Sequence, residues 1–370
     1  MSKAAASPLL LSVFSTFKVG GPQVRFCALA NHFGERYRHV IIAMDGALDC
    51  KERLSSELDV TFLPVENHKG DTFGNRRRFR DVLEVLRPDC LVTYNWGAIE
   101  WAMANWPRLV PHAHIEDGFG PEEADRQLWR RALTRHLVLG FSTVIVPSKQ
   151  LERIASQVWK LRRERLHYIP NGIDCGRFAD PTITPLLPRG TQPVIGTVAA
   201  LRIEKNLLRL LDAFCLVREQ IPSRLVIAGD GPERRPLEAR VQELGLSDHV
   251  TFTGYRTDTE GVYAGLDIFA LSSDTEQMPT SVLEAMAAGL PIVSTNVGDV
   301  SDMVAFENKP FVVSASAAAL ANAIVTLLRQ PTLRQQIGTL NQARARRDFS
   351  EDRMFAAYGE IFDSASRNRS

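Results

Sequence analysis

The chain of 370 residues and 41.2 kDa is 45% hydrophobic and 24% charged, enough apolar material for two cores, which excludes a peptide ligand or a disordered tail. Lys+Arg at 44 nearly cancel Asp+Glu at 43, a net charge of +1, so no bulk field points to nucleic acid as the partner. The five cysteines (Cys27, Cys50, Cys90, Cys175 and Cys215) form no CxxC and no metal-ligand spacing, and with an N-terminal apolar run too short for a secretion signal they predict reduced thiols in the cytoplasm. No apolar stretch of about 18 residues is present to cross a membrane, which leaves peripheral contact on the inner face open.

In chain order, short runs rich in Val, Ile and Leu alternate with segments of helical period, the pattern of parallel strands joined by crossover helices. Strands are predicted at 9–14, 39–44, 60–63, 90–93, 112–115, 143–146 and 166–169. The alternation restarts with strands at 194–198, 224–228, 249–252, 267–270 and 291–294, and helices at 207–219, 281–288, 316–328 and 331–346. Between the halves, prolines from Pro170 to Pro193 crowd a stretch without period. The predicted layout is therefore a first domain over 1–175, a linker over 176–192 and a second domain over 193–348. A last amphipathic helix within 349–370 returns to the first domain.

Chemistry-bearing residues cluster where strands end. Gly20-Gly21-Pro22 joins the first strand to a helix; amides exposed there attract phosphate, and an ordinary tight turn is the plainer reading. His112, His114, Glu116 and Asp117 close the fifth strand as HAHIED. In LRIEKN, Arg202 and Lys205 follow the first strand of the second half. A guanidinium fork beside an ammonium point charge suits a diphosphate, and a solvated charged loop is the alternative. AGDGP then brings Gly231 to the same sheet edge, either for a ligand or as a turn. In EQMPTSVLE, seven residues separate Glu276 from Glu284; Ser281 and Glu284 also fit a capping box, which leaves Glu276 unexplained. No DxD follows a strand in a metal-binding setting, Asp258-Thr259-Glu260 reads as a helix start, and no metal is expected. The segments NRRRFRDVLEVLRP and QVWKLRRERLHYI mix basic and apolar residues in the manner of lipid-facing or merely solvated helices.

The motifs LRIEKN, AGDGP and EQMPTSVLE followed by AMAAGLPIVST resemble the GT-B retaining glycosyltransferases of family 4 (group 1), strongly over about 193–303 and more loosely through the GG loop, VPSKQLERI and IPNGIDCGRF. The resemblance implies two Rossmann-like α/β domains facing across a cleft and transfer of a sugar from a UDP- or GDP-sugar to a hydroxyl of a glycan or lipid-linked saccharide, in polysaccharide or glycolipid synthesis. It implies that Glu276 binds the donor sugar hydroxyls, Glu284 the ribose diol, and Arg202 and Lys205 the diphosphate. Gly20 and Gly21 would close on the phosphates, while Met278, Pro279 and Thr280 line the donor site. His114 would face the sugar, with Glu116 or Asp117 orienting the acceptor, although EDGFG departs from the commoner residues after that His. No cofactor beyond the nucleotide sugar is implied. A catalytically silent nucleotide-sugar-binding subunit, and an epimerase or phosphorylase on the same fold, are the rival expectations.

Overall fold

In a computed structural model of the protein, residues 7–119, 123, 127–180, 182–186 and 190–367 are described. The chain divides into two compact units, the first running to Pro170 and resuming at Met354, the second spanning Asn171–Arg353.

The first unit contains strands β1 (Leu9–Phe14), β2 (Arg38–Ala43), β3 (Val60–Phe62), β4 (Cys90–Tyr94), β5 (His112–Ile115), β6 (Thr143–Val146) and β7 (Leu166–Tyr168). Its helices are α1 (Gly21–Phe33), α2 (Thr72–Leu86), α3 (Ile99–Ala104), α4 (Trp129–Leu139) and α5 (Lys149–Gln157). All strand pairs are parallel, in the order β3-β2-β1-β4-β5-β6-β7. A central parallel strand buries both faces, and the period of two sends alternate residues to opposite cores. Accordingly Leu10 and Phe14 of β1 pack toward α1, while Leu11 and Val13 pack toward α2 and α3.

The second unit contains α6 (Cys175–Ala179), β8 (Val194–Val198), α7 (Leu207–Arg218), β9 (Arg224–Ala228), α8 (Arg234–Glu243), β10 (Val250–Gly254), α9 (Thr259–Ala264) and β11 (Ile268–Leu271). It continues with α10 (Thr280–Ala287), β12 (Ile292–Thr295), α11 (Val300–Met303), β13 (Val312–Val313), α12 (Ala317–Arg329) and α13 (Pro331–Asp348). Again all pairs are parallel, in the order β10-β9-β8-β11-β12-β13. Leu225 and Ile227 of β9 enter one core, Val226 and Ala228 the other.

Helix α14 (Glu351–Arg367) returns the chain to the first unit as the sequence predicts. Met354, Phe355, Tyr358 and Phe362 join the core beside α1, and Tyr37 donates a 2.6 Å hydrogen bond to Asp363, which also pairs with Arg36. The boundaries differ from the predicted ones. The chain enters the second unit at Asn171, and the first residues of the expected linker form α6, whose Asp174 side chain accepts the Arg177 amide and whose Phe178 is buried. Phe349, expected in the returning helix, packs in the second core. Proline density hid a short capped helix, and the aromatic spacing of α14 absorbed a residue that belongs before it. Pro181 and Pro188 of the predicted linker lie outside the described residues.

Candidate functional site

In an open parallel sheet, neighbouring strands whose connections leave in opposite directions open a crevice at their carboxyl ends. In the second unit that point lies between β8 and β11. The loop after β8 packs on the glycine turn after β9: the Ala199 amide donates to the Ala228 carbonyl and the Leu201 amide to the Asp230 carbonyl. This close pass requires glycine. Gly229 and Gly231 have φ of +138° and +156°, and a Cβ on them would lie 1.8 Å from the Ala199 oxygen and 2.5 Å from the Leu201 oxygen. Gly231 therefore acts first as the seat of the loop that carries Arg202 and Lys205.

Across the switch point, Lys205 Nζ donates to Glu276 Oε1 at 2.6 Å, and Ser273 Oγ donates to the same oxygen at 2.7 Å. The side chains are 22% and 10% exposed, so the pair is shielded without being sealed. Thr295 at the end of β12 donates to the Ser273 carbonyl at 2.7 Å, and Ser272 donates to the Lys205 carbonyl at 3.0 Å. A second link fastens the two loops: Arg209 pairs with Asp274 at 2.6 Å and donates to the Ser272 carbonyl at 2.8 Å, while Asn206, which caps α7, donates to Asp274 at 3.0 Å. Arg202 is the most exposed cation of the set, with a side chain 64% exposed and Glu204 at 3.9 Å.

Glu284 stands in α10, which starts at Thr280 without a side-chain cap, so the Ser281–Glu284 capping box does not form. Glu284 Oε2 instead accepts the Tyr263 hydroxyl at 2.6 Å, and burial pushes its carboxyl up to about 7 despite that bond. Burial beside Glu284 also pushes the Tyr263 phenol up. Met278 and Pro279 are buried and Thr280 is exposed. Asn171 Nδ2 donates to the Met278 carbonyl at 3.0 Å, fixing the backbone between the two glutamates. Sequence reasoning missed Tyr263, Arg209, Asp274, Ser273 and Asn171. Of these only the Asn206–Arg209 helix start left a local signal.

In the first unit the switch point lies between β1 and β4. Gly20 caps α1 in extended conformation and Gly21 opens it, with open space where its Cβ would stand. His114, at the end of β5, is fully buried: its Nδ1 lies 2.8 Å from Thr93 Oγ1, whose other neighbour is His112 Nε2, also at 2.8 Å. One hydroxyl proton serves two rings, so Thr93 donates to one and accepts from the other. Burial, then the neighbouring His114, holds the His112 imidazole well below its usual range. His114 Nε2 lies 3.6 Å from Glu116 Oε2, and Glu116 is wholly buried against Arg135 at 3.1 Å. Arg135 is itself 3.1 Å from Glu123 and enclosed by the rings of Trp96, Trp159 and Phe119. Asp117 pairs with Arg25 of α1 at 2.6 Å. Burial disfavours that guanidinium's charge, yet the Asp117 carboxylate raises it further from titration. Glu116 and Asp117, either of which is expected to orient the acceptor, each stand in an ion pair within the first unit, with Arg135 and with Arg25 of α1. Asp258 precedes α9 as the sequence reading has it. Among the described residues no cluster of three His, Cys, Asp or Glu is placed to hold a metal ion.

Residues 181–344 match the family described as glycosyl transferases group 1, and residues 19–177 the family described as glycosyltransferase family 4. The chain is similar to the lipopolysaccharide core biosynthesis glycosyltransferase LpsD of Rhizobium meliloti, 32% identical over 41% of this chain and 45% of that protein. It is also similar to the alpha-monoglucosyldiacylglycerol synthase of Streptococcus pneumoniae, 29% identical over 46% of this chain and 42% of that one. The chain spans about half the length of the curated relatives it matches. Among solved structures, Anabaena Alr3699/HepE in complex with UDP and glucose superposes with a TM-score of 0.82 at 20% identity, covering 96% of this chain and 100% of that one. WaaG, a glycosyltransferase involved in lipopolysaccharide biosynthesis, gives 0.70 at 18% identity over 96% and 99%.

Proposed function

Because the chain belongs to the group 1 glycosyltransferases and has the GT-B fold, we propose that it moves a sugar, with retention, from a UDP- or GDP-sugar to a hydroxyl of a glycan or lipid-linked saccharide. The product would serve polysaccharide or glycolipid synthesis. The observation that carries this reading is the Lys205–Glu276 pair at the β8/β11 switch point, with Arg202 exposed beside it and Glu284 eight positions on. A diphosphate leaving group needs cations and a departing sugar needs hydroxyl acceptors, and this edge offers both. Glu276 would receive sugar hydroxyls, and Glu284 the ribose diol. Main-chain groups of Met278, Pro279 and Thr280 would line the donor.

As the bond between the anomeric carbon and phosphate oxygen breaks, its electron pair goes to the phosphate. The acceptor oxygen bonds the same carbon from the same side, and its proton passes to the departing phosphate. No protein base is required. Lys205 and Arg202 would meet the developing charge, the role that metal ions fill elsewhere. A preorganised donor of this kind is worth about 3 kcal/mol in the transition state, or roughly a hundredfold in rate.

The test is calorimetry with UDP, GDP and their sugar conjugates on wild type, Arg202→Ala and Lys205→Ala, followed by turnover with and without a chelator. Both variants are expected to weaken diphosphates far more than the nucleoside, Lys205→Ala to slow turnover by roughly a hundredfold, and the chelator to change nothing. Well-folded protein that binds no nucleotide would overturn the reading.

A further inference from the structure

One face of the first unit is apolar and exposed. On α4, Trp129, Leu133 and Leu137 recur every fourth residue and Phe141 follows beyond the helix end; they are 68%, 48%, 59% and 56% exposed. At that spacing they stand one above another on one face of the helix, while Ala132, Arg135 and Leu139 fill the opposite, packed face. Trp106, 50% exposed, extends the row, its ring 5.6 Å from that of Phe141. Exposed apolar residues are ordinarily scattered, and a contiguous run of this kind marks an interaction surface.

The same face is cationic. Residues 105–112 and 127–142 contain neither Asp nor Glu. Arg130 stands over the Trp129 ring at 5.4 Å, and Arg108 is exposed beside Trp106. His136 Nδ1 lies 2.9 Å from the Trp159 carbonyl, which brings the following loop against α4. That loop buries Trp159 and Leu161 and exposes Lys160, Arg162 and Arg163, with Glu164 as its carboxylate. The basic segment singled out in the sequence thus packs beside the helix that carries the apolar row.

We propose that this face docks on an anionic lipid bilayer, with the Trp129–Leu133–Leu137–Phe141 row among the acyl chains and the surrounding cations at the headgroups. Tryptophan suits that boundary, having an apolar ring and a polar edge. A second copy of the chain fits less well, because a two-fold contact would set these cations against their own images with few carboxylates to receive them. The inference goes beyond sugar transfer and stands without it.

Sedimentation of the full chain with vesicles tests it. Wild type is expected to bind vesicles of equal parts phosphatidylglycerol and phosphatidylcholine and to leave pure phosphatidylcholine largely free. Leu133→Asp with Leu137→Asp should weaken binding at least tenfold, and Arg162→Ala with Arg163→Ala about fivefold per cation. Melting temperature and UDP calorimetry are read on each variant. Trp129→Ala, at a position already exposed, serves if the aspartates disturb folding. Wild type that ignores anionic vesicles, or variants that bind as wild type does, would overturn the proposal. So would a dimer in light scattering that the aspartates dissociate without any vesicle binding. Vesicle binding lost in the variants while no form binds nucleotide would leave docking in place and remove the transferase reading.

Discussion

Glu284 shows how burying one carboxyl costs the fold stability as pH rises. Its proton is bound more tightly in the folded chain, with a value of about 7, than at the ordinary 4.5. The group's contribution to stability is therefore complete below about 4.5 and is lost as pH rises through 7. Glu284→Gln still accepts the Tyr263 hydroxyl and never ionises. It is expected to match wild type near pH 4 and to exceed it by on the order of 2 kcal/mol above pH 8, after allowance for partial exposure. Denaturant unfolding at the two pH values measures this. Equal differences at both would mean that the carboxyl is not strained by burial. Glu276 accepts hydrogen bonds from Lys205 and Ser273 instead. Glu276→Ala is expected to leave affinity for free nucleotide nearly unchanged and to weaken the sugar conjugate, whereas Glu284→Ala weakens both; calorimetry that finds equal effects on free nucleotide would end this division of roles.

At the scale of elements, the loop that carries the cations is seated by backbone contact as well as by side chains. Gly229→Ala would place a methyl group against the Ala199 carbonyl at a positive φ, and a loss of about 2 kcal/mol or more is expected, with nucleotide affinity falling as the β8 loop moves. Unchanged stability by thermal unfolding would show that the turn can open without consequence. These elements also mark what the sequence could convey. Strands β1 to β12 were legible because each is a short apolar run between turn residues; β13, two residues long, offers no period to read. The two glutamates were legible because they share seven intervening positions. Their supports were not: Arg209 meets Asp274 across 65 positions and Asn171 meets Met278 across 107. No local pattern encodes such pairings. The His114 cluster was legible in composition but not in role, since only packing reveals that Glu116 faces Arg135.

For the whole molecule, the two units have separate cores, and the first is assembled from both ends of the described chain. Stopping the chain after Arg353 removes Met354, Phe355, Tyr358 and Phe362 from the first core. Each is worth about 1.5–3 kcal/mol of burial, a sum comparable to the stability of a domain. Hydrogen exchange of this truncated chain is expected to find slow amides in the second unit and fast ones throughout β1 to β7. Continued protection of β1 would show that the helix is dispensable to that core.

The nesting of one unit inside the other also sets an order of events during synthesis. Residues 354–367 leave the ribosome after all of Asn171–Arg353, so the second unit can fold while the first still lacks a wall of its core. Until then Phe33, Tyr37 and neighbouring side chains stand uncovered, exposed to whatever binds nascent apolar surface. A translational pause near the codon for Arg353 would lengthen that interval, and such a pause would reduce the yield of the first unit alone.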